Sequence, residues 1–372
     1  MRHKHIPLGK ILGIPVGLDY TWFLIFALLA WTLSTNYFPH AFKGWSSMHY
    51  WVVGIITSLM LFVSVLLHEI GHSVIAMQYK IKVKRITLFI FGGIAEIEGE
   101  PPKAIAEFWI AIAGPIVSFL LAGLFYILKD LSGNFQTAVA IFEYLAFINL
   151  ALAVFNLIPG FPLDGGRVFR AIVWAFTNNL KRATVISVTV GRFIAFLFIF
   201  IGAINLLTGN VGNGLWIAFI GWFLESAASS QLQQQHLQDH LKGHSVIEAM
   251  SRDFAIIPHD TTILEVMNNH LLGIRRRSLI VKENDKFIGL LTPHKIKDIP
   301  TNKWDTTAVT EAMISGINTE KVEPDYPMWE ALIKMDKDGV NQLPVIENGE
   351  IIGILSRDNI LTFLRELHES GG

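Results

Sequence analysis

Charged residues are sparse through the first part of the chain, and six apolar stretches stand out. They lie at about residues 16–37, 50–79, 104–129, 137–158, 184–207 and 213–229. As helices, each is long enough to cross most or all of the hydrocarbon layer of a bilayer. Between the second and third, the pattern changes. Residues 83–91, VKRITLFIF, are β-branched and aromatic, Gly92-Gly93 follows, and Ile94-Ala95-Glu96-Ile97-Glu98 alternates. That pattern predicts a β-hairpin, whose free edge could take up an extended peptide as an added strand. The third stretch contains Gly114-Pro115, a candidate kink. The fourth runs into NLIPGFPLDGGR at 156–167, where two prolines and three glycines forbid a continuous helix. Irregular backbone at membrane depth is stable only when buried in protein or facing a water-filled cavity.

Beyond residue 230 the pattern is that of a soluble chain. Residues 231–243 are polar and read as a linker. Then Val246-Ile247-Glu248-Ala249-Met250 recurs as Val309-Thr310-Glu311-Ala312-Met313, an offset of 63 residues. Phe287-Ile288-Gly289-Leu290-Leu291-Thr292 recurs as Ile351-Ile352-Gly353-Ile354-Leu355-Ser356, an offset of 64. Each copy reads as strand, helix, two short strands and helix. The expected fold is an α-helical polytopic membrane protein of six spans with a membrane-associated β-hairpin, followed by a soluble α/β pair. The expected boundaries are 1–230 for the membrane domain, 231–243 for the linker, and 244–300 and 307–367 for the two repeats.

Composition supports this division. The 372 residues are 52% hydrophobic and 16% charged, with a mean hydropathy of +0.44, values that suit a membrane protein with a soluble part. The net charge of −1 gives no footprint for nucleic acid, and none is expected as a partner. Cysteine is absent, which excludes disulfides, a thiol nucleophile and thiolate metal ligands. The basic start, MRHKHIPLGK, reads as a short arm, and no small-residue cleavage site follows the first span, so no cleavable signal peptide is expected. Lys80, Lys82, Lys84 and Arg85 after span two, and Lys181 and Arg182 before span five, fall on the same side as the basic arm. The positive-inside rule makes that side, with both termini, cytoplasmic.

The chemistry lies in the second span, which carries His68-Glu69-Ile70-Gly71-His72. Imidazoles and a carboxylate are costly in hydrocarbon, so their presence there points to function. Histidines at i and i+4 share one helix face and can hold one ion, while Glu69 stands ready to deprotonate a water. His72 precedes the cytoplasmic end of the span by about seven residues, or roughly 10 Å of helix. A catalytic zinc takes three protein ligands. Asp164 is the only carboxylate between Tyr144 and Glu225, and it is either the third ligand or a helix N-cap. Asn156 is either a structural hydrogen bonder or a contact for a substrate carbonyl. Gly92 and Gly93 suit a turn, and Glu96 and Glu98 suit solvated strand positions.

The HExxH span followed by N-x2-P-x4-D-G-G resembles the site-2 protease family of intramembrane zinc metalloproteases. The repeats resemble a tandem CBS pair, which places the chain near the branch that processes a membrane-tethered sigma precursor during sporulation. The resemblance implies one Zn2+ on His68, His72 and Asp164, Glu69 as general base, and Asn156, Gly92 and Gly93 in contact with substrate. It implies a single-span membrane substrate: a transcription-factor precursor, an anti-sigma factor or a signal-peptide remnant. Localisation would be a prokaryotic plasma membrane. Gly114-Pro115-Ile116-Val117-Ser118 departs from the family, which often has Asn at the last position, and this weakens any role for Ser118. In the CBS pair an adenine nucleotide such as ATP would meet Thr292, Ser356 and Asp358. The first copy, GLLTPH, lacks the acid, so at most one site is complete. CBS pairs usually associate in twos, which implies a homodimer. The rival class is a CBS-regulated transporter or channel with a metal site, whose polar residues would be spread through several spans.

Overall fold

The protein is described from a computed structural model, which covers residues 6–90, 92–271, 279–283, 286–291, 293–315 and 320–370. It divides into two compact units, Arg2–Gln235 and His236–Gly372.

In the first unit, the start expected as a basic arm gives β1 (Ile6–Ile11), and β2 (Ile14–Leu18) takes up residues expected to open the first span. They pair as a hairpin, and β2 runs parallel to β3 (Val83–Phe89), which in turn pairs antiparallel with β4 (Gly92–Ile97). The predicted hairpin is therefore half of a four-stranded sheet ordered β1-β2-β3-β4, and β4 is one of its edges. Strand β1 is mostly exposed, whereas Ile14, Val16 and Leu18 of β2 are buried.

Helices α1 (Thr21–Ala41), α2 (Ser47–Gln78), α3 (Ala104–Leu131), α4 (Gln136–Asn156) and α6 (Leu180–Leu207) are long and apolar enough to cross a membrane. Their exposed Leu, Ile and Phe side chains are those expected of helices bathed in lipid. Between α4 and α6 lies the shorter α5 (Asp164–Thr177). Helix α7 (Val211–Leu241) differs from expectation. Its first half covers the expected sixth span, but Asn213 and Glu225 dilute its hydropathy, and five helices rather than six meet the length and composition of a span among the described residues. The polar stretch 231–243, expected as a linker open to helix, is helical as far as Leu241.

Small residues set the helix contacts. A side chain at Gly202 of α6 would strike Ala218 of α7, and one at Gly221 of α7 would strike the Ala195 carbonyl and Ile199. Close backbone approach of this kind drives helix association where lipid competes for every apolar contact. Gly54 of α2 likewise leaves room for Ser34, whose hydroxyl donates to the Ala30 carbonyl at 2.6 Å within α1. Helix α3 runs unbroken through Pro115, and α5 packs along it.

In the second unit, β5 (Ala255–Pro258), β6 (Leu279–Glu283), β7 (Lys286–Leu291) and β8 (Ile314–Ser315) form one sheet in that order. Strands β9 (Gln342–Glu347) and β10 (Glu350–Ser356) form a second, flanked by α8 (Met328–Asp338) and α9 (Arg357–Ser370). The repeat is visible in how the copies interlock. Gly289 of the first copy lies under the Met313 side chain of the second, and Gly353 of the second lies under Met250 of the first. The recurring Met and Gly of the sequence are thus two halves of one contact, used twice. Ser251 exchanges backbone hydrogen bonds of 2.9 Å with Ile354, so each copy completes the other's sheet.

Candidate metal centre

His68 and His72 stand on one face of α2, each 4% exposed. Asp164 is the first residue of α5, and its Oδ2 reaches both imidazoles. It lies 3.1 Å from Nε2 of His68 and 3.2 Å from Nε2 of His72, and the two Nε2 atoms are 3.2 Å apart. The three atoms form a nearly equilateral triangle. Donors about 2.0 Å from a tetrahedral zinc ion are separated by about 3.3 Å, so the triangle matches one face of that tetrahedron.

Helix α3 fixes the imidazoles from behind. Nδ1 of His72 lies 2.7 Å from the Ile110 carbonyl. A carbonyl only accepts, so Nδ1 carries the proton, and in the neutral ring Nε2 presents a bare lone pair. Nδ1 of His68 lies 2.9 Å from the Ser118 hydroxyl, which can accept in the same way. Partners of this kind orient ligating histidines and raise their basicity. Two bare lone pairs and a carboxylate oxygen then converge in a nearly dry site, an arrangement that repels itself unless a cation or a shared proton lies between.

Gly114 explains how the site stays open. It lies midway between Ile110 and Ser118 on one stripe of α3, and a Cβ there would collide with Nε2 of both histidines. The donor set, its outward-facing lone pairs and this glycine cradle together fit a single zinc ion. Gly71 of α2 makes the approach possible, since a Cβ there would press on Val117 and the Ala113 carbonyl of α3.

Asp164 depends on the broken backbone before it. Side chains at Gly165 would enter the Leu157 and Ile158 carbonyls, and at Gly166 would enter Gly160 and Phe161. Gly191 of α6 packs against the backbone of that same loop. The Asp-Gly-Gly sequence therefore lets the start of α5 rest directly on the chain that leads into it. Glu69, partly buried, lies against β4. A Cβ on Gly93 would strike its Cγ, and the Ala95 backbone N–H points to its carboxylate.

The structure thus brings together His68, Glu69, His72, Asp164 and Gly93. Gly92 opens β4 with φ +129°, a conformation that favours glycine, and a Cβ there would meet open space. Asn156 ends α4, half-buried, and is not among the converging donors. Ser118, discounted in the sequence, is buried and holds His68. Its signal was present: a hydroxyl four residues beyond Gly114 lies on the same helix face. The Ile110 carbonyl could not have been found, because a backbone group leaves no trace in residue type. In the CBS pair, Ser356 caps α9 through Asn359, whose N–H donates to the Ser356 hydroxyl at 3.1 Å, and Asp358 is exposed in the first turn. Thr292 lies outside the described residues.

Comparison with known proteins gives this arrangement a family. The sequence pattern of peptidase family M50 matches residues 56–133 and 130–200, and that of the CBS domain matches 246–300 and 309–366. The candidate zinc metalloprotease sll0528 of Synechocystis is 35% identical over 369 residues, covering 98% of this chain and 96% of the relative. The chain belongs to peptidase family M50. Another relative of similar length is the candidate zinc metalloprotease Rip3 of Mycobacterium tuberculosis, 30% identical over 95% of this chain and 91% of its own. The site-2 protease of Methanocaldococcus jannaschii is 30% identical over 61% of this chain and 94% of that one, with a TM-score of 0.42. This M50 peptidase is a multi-pass membrane protein with a tandem CBS pair, and the transporter or channel reading falls away.

Replacing Gly114 with Ala should cost the centre its metal while leaving the span in place. The expected result by elemental analysis is about one zinc per chain in wild-type protein and under about a tenth of that in Gly114→Ala. Full zinc in the variant would contradict the cradle.

Proposed function

We propose that this peptidase hydrolyses a peptide bond within or near the transmembrane segment of a membrane protein, with His68, His72 and Asp164 as zinc ligands and Glu69 as general base. The observation that carries the reading is the 3.1–3.2 Å triangle of bare donors beside a carboxylate that packs on a strand edge. Bound zinc supplies Lewis acidity for the scissile carbonyl and lowers the pKa of water towards about 7. The chain's own residues do the rest. Nδ1–H bonds from His72 to Ile110, and from His68 to Ser118, keep both rings turned towards the centre. Glu69 takes the proton of the attacking water and returns it to the departing amine.

A helical substrate hides its carbonyls, so it must unwind locally before attack. Strand β4 is an edge of its sheet, and a substrate segment added there as a strand would lie extended beside Glu69. Gly93, which lacks a side chain, lets Glu69 lie against β4, with Gly92 at the strand's start. Asn156, at the end of α4, offers an amide for a substrate carbonyl. The substrate class is a single-span protein such as a membrane-held transcription-factor precursor, an anti-sigma factor or a signal-peptide remnant. The positive-inside rule, applied to the basic residues, supports a cytoplasmic side for both termini, the CBS pair and the approach to the centre, in a prokaryotic plasma membrane. The CBS pair would bind an adenine nucleotide at Ser356 and Asp358, with Thr292 at the less complete site, control access to the centre and join two chains in a homodimer.

Glu69→Gln keeps the size of the side chain and removes the base. It should lower cleavage by about a hundred- to ten-thousand-fold while zinc content stays at the wild-type level. Comparing membrane proteomes of cells carrying each form should reveal single-span proteins that accumulate with the variant. Full activity in Glu69→Gln would remove the mechanism. For the CBS pair, calorimetric titration of ATP into the purified protein should show saturable heat at about one site per chain, and an absence of heat would remove nucleotide control.

A further inference from the structure

A second pair of charges is buried in the membrane unit, and the proposed chemistry makes no use of it. Glu107 of α3 is fully buried and Arg170 of α5 is 7% exposed. Nε of Arg170 donates to Oε1 of Glu107 at 2.6 Å, and Nη2 donates to the same oxygen. The other carboxylate oxygen, Oε2, is buried with no partner among the described residues, so Arg170 is the side chain that holds Glu107. The guanidinium also lies over the Phe161 ring, 5.1 Å from its centre.

An ion pair so enclosed is weak evidence for stability, because two desolvated charges cost about as much as their attraction returns. Its placement points to another use. Glu107 precedes Ile110 by one turn of α3, on the helix whose Ile110 carbonyl and Ser118 hydroxyl hold His72 and His68. Arg170 lies on α5, the helix that begins with Asp164. Phe161 belongs to the irregular loop that delivers the chain to Asp164. The pair therefore joins the element that positions two donors to the two segments that position the third.

We propose that Glu107 and Arg170 are positioning residues for the metal centre: their ion pair clamps α5 and the Phe161 loop to α3, and so holds Asp164 against His68 and His72. The proposal rests on the reading of those three residues as metal ligands. Without the clamp, α5 keeps its apolar packing on α3 but can slide, and a shift of about 1 Å is enough to spoil ligation by a carboxylate. Arg is suited to the task because its rigid fork and flat face engage the carboxylate and the ring together.

The test uses full-length protein in detergent, loaded with zinc, and follows transfer of the metal to a chromogenic chelator. Arg170→Met keeps much of the side chain's bulk and removes the charge. The control is Leu145→Ala, a fully buried core position on α4 away from the centre, which should lower thermal stability without touching the clamp. The expected result is metal loss at least ten-fold faster than wild type in Arg170→Met and unchanged in Leu145→Ala. If Arg170→Met does not fold, Glu107→Gln is read in the same way. Wild-type retention in the clamp variant, or equally rapid loss from Leu145→Ala, would overturn the proposal. A wild-type protein that takes up no metal would instead overturn the ligand reading on which it rests.

Discussion

Two imidazoles placed in the apolar interior of a helix bundle have no water to fall back on, so each ring nitrogen must be answered by the protein. One helix supplies most of the answer. Along a single stripe of α3 lie a carbonyl for His72, a bare Cα to make room, and a hydroxyl for His68, at Ile110, Gly114 and Ser118. Each is one turn from the next, which is the spacing of the two histidines on α2. The match of two helical repeats, brought close by Gly71, sets both Nε2 atoms towards the same point. Asp164 then has one place to stand. Everything that shapes the chain between 157 and 166, including the glycines that press backbone on backbone, serves to bring its carboxylate there.

Much of this could be read from residue types. A histidine pair at helical spacing in a charge-free run is an anomaly that only function explains, and the scarcity of other carboxylates singled out Asp164. The hairpin and the repeat were equally legible, because alternation and self-similarity survive in sequence. What was not legible has a common cause. The strands at 6–18 left no signal because the parallel partner of β2, strand β3, lies some seventy residues away. The Ile110 carbonyl is backbone. Ser118 was judged against a family habit when its position on the α3 stripe was the better guide. Glu107 and Arg170 are ordinary residues until α3 and α5 are laid side by side, when both turn out to be buried.

The span count shows where composition misleads. Helix α7 carries Gly214, Ala218 and Gly221 against α6, the small residues of a packed membrane helix, while its Asn and Glu lower the hydropathy of the same stretch. Arg192 of α6 answers Glu225 at 3.3 Å, so that carboxylate is paired with the neighbouring helix. In the CBS unit the repeat encodes contacts between copies rather than two separate folds. Met250 over Gly353 and Met313 over Gly289 mean that neither copy is complete without the other.

All of this chemistry depends on His68, His72 and Asp164 holding a single zinc ion. X-ray absorption at the zinc edge of the purified full-length protein examines that claim directly. The expected spectrum shows two imidazole nitrogens and carboxylate or water oxygens at about 2.0–2.2 Å, with the imidazole contribution falling by half in His72→Ala. A zinc environment that keeps its imidazole signal in that variant, or purified protein with no bound zinc, would contradict it.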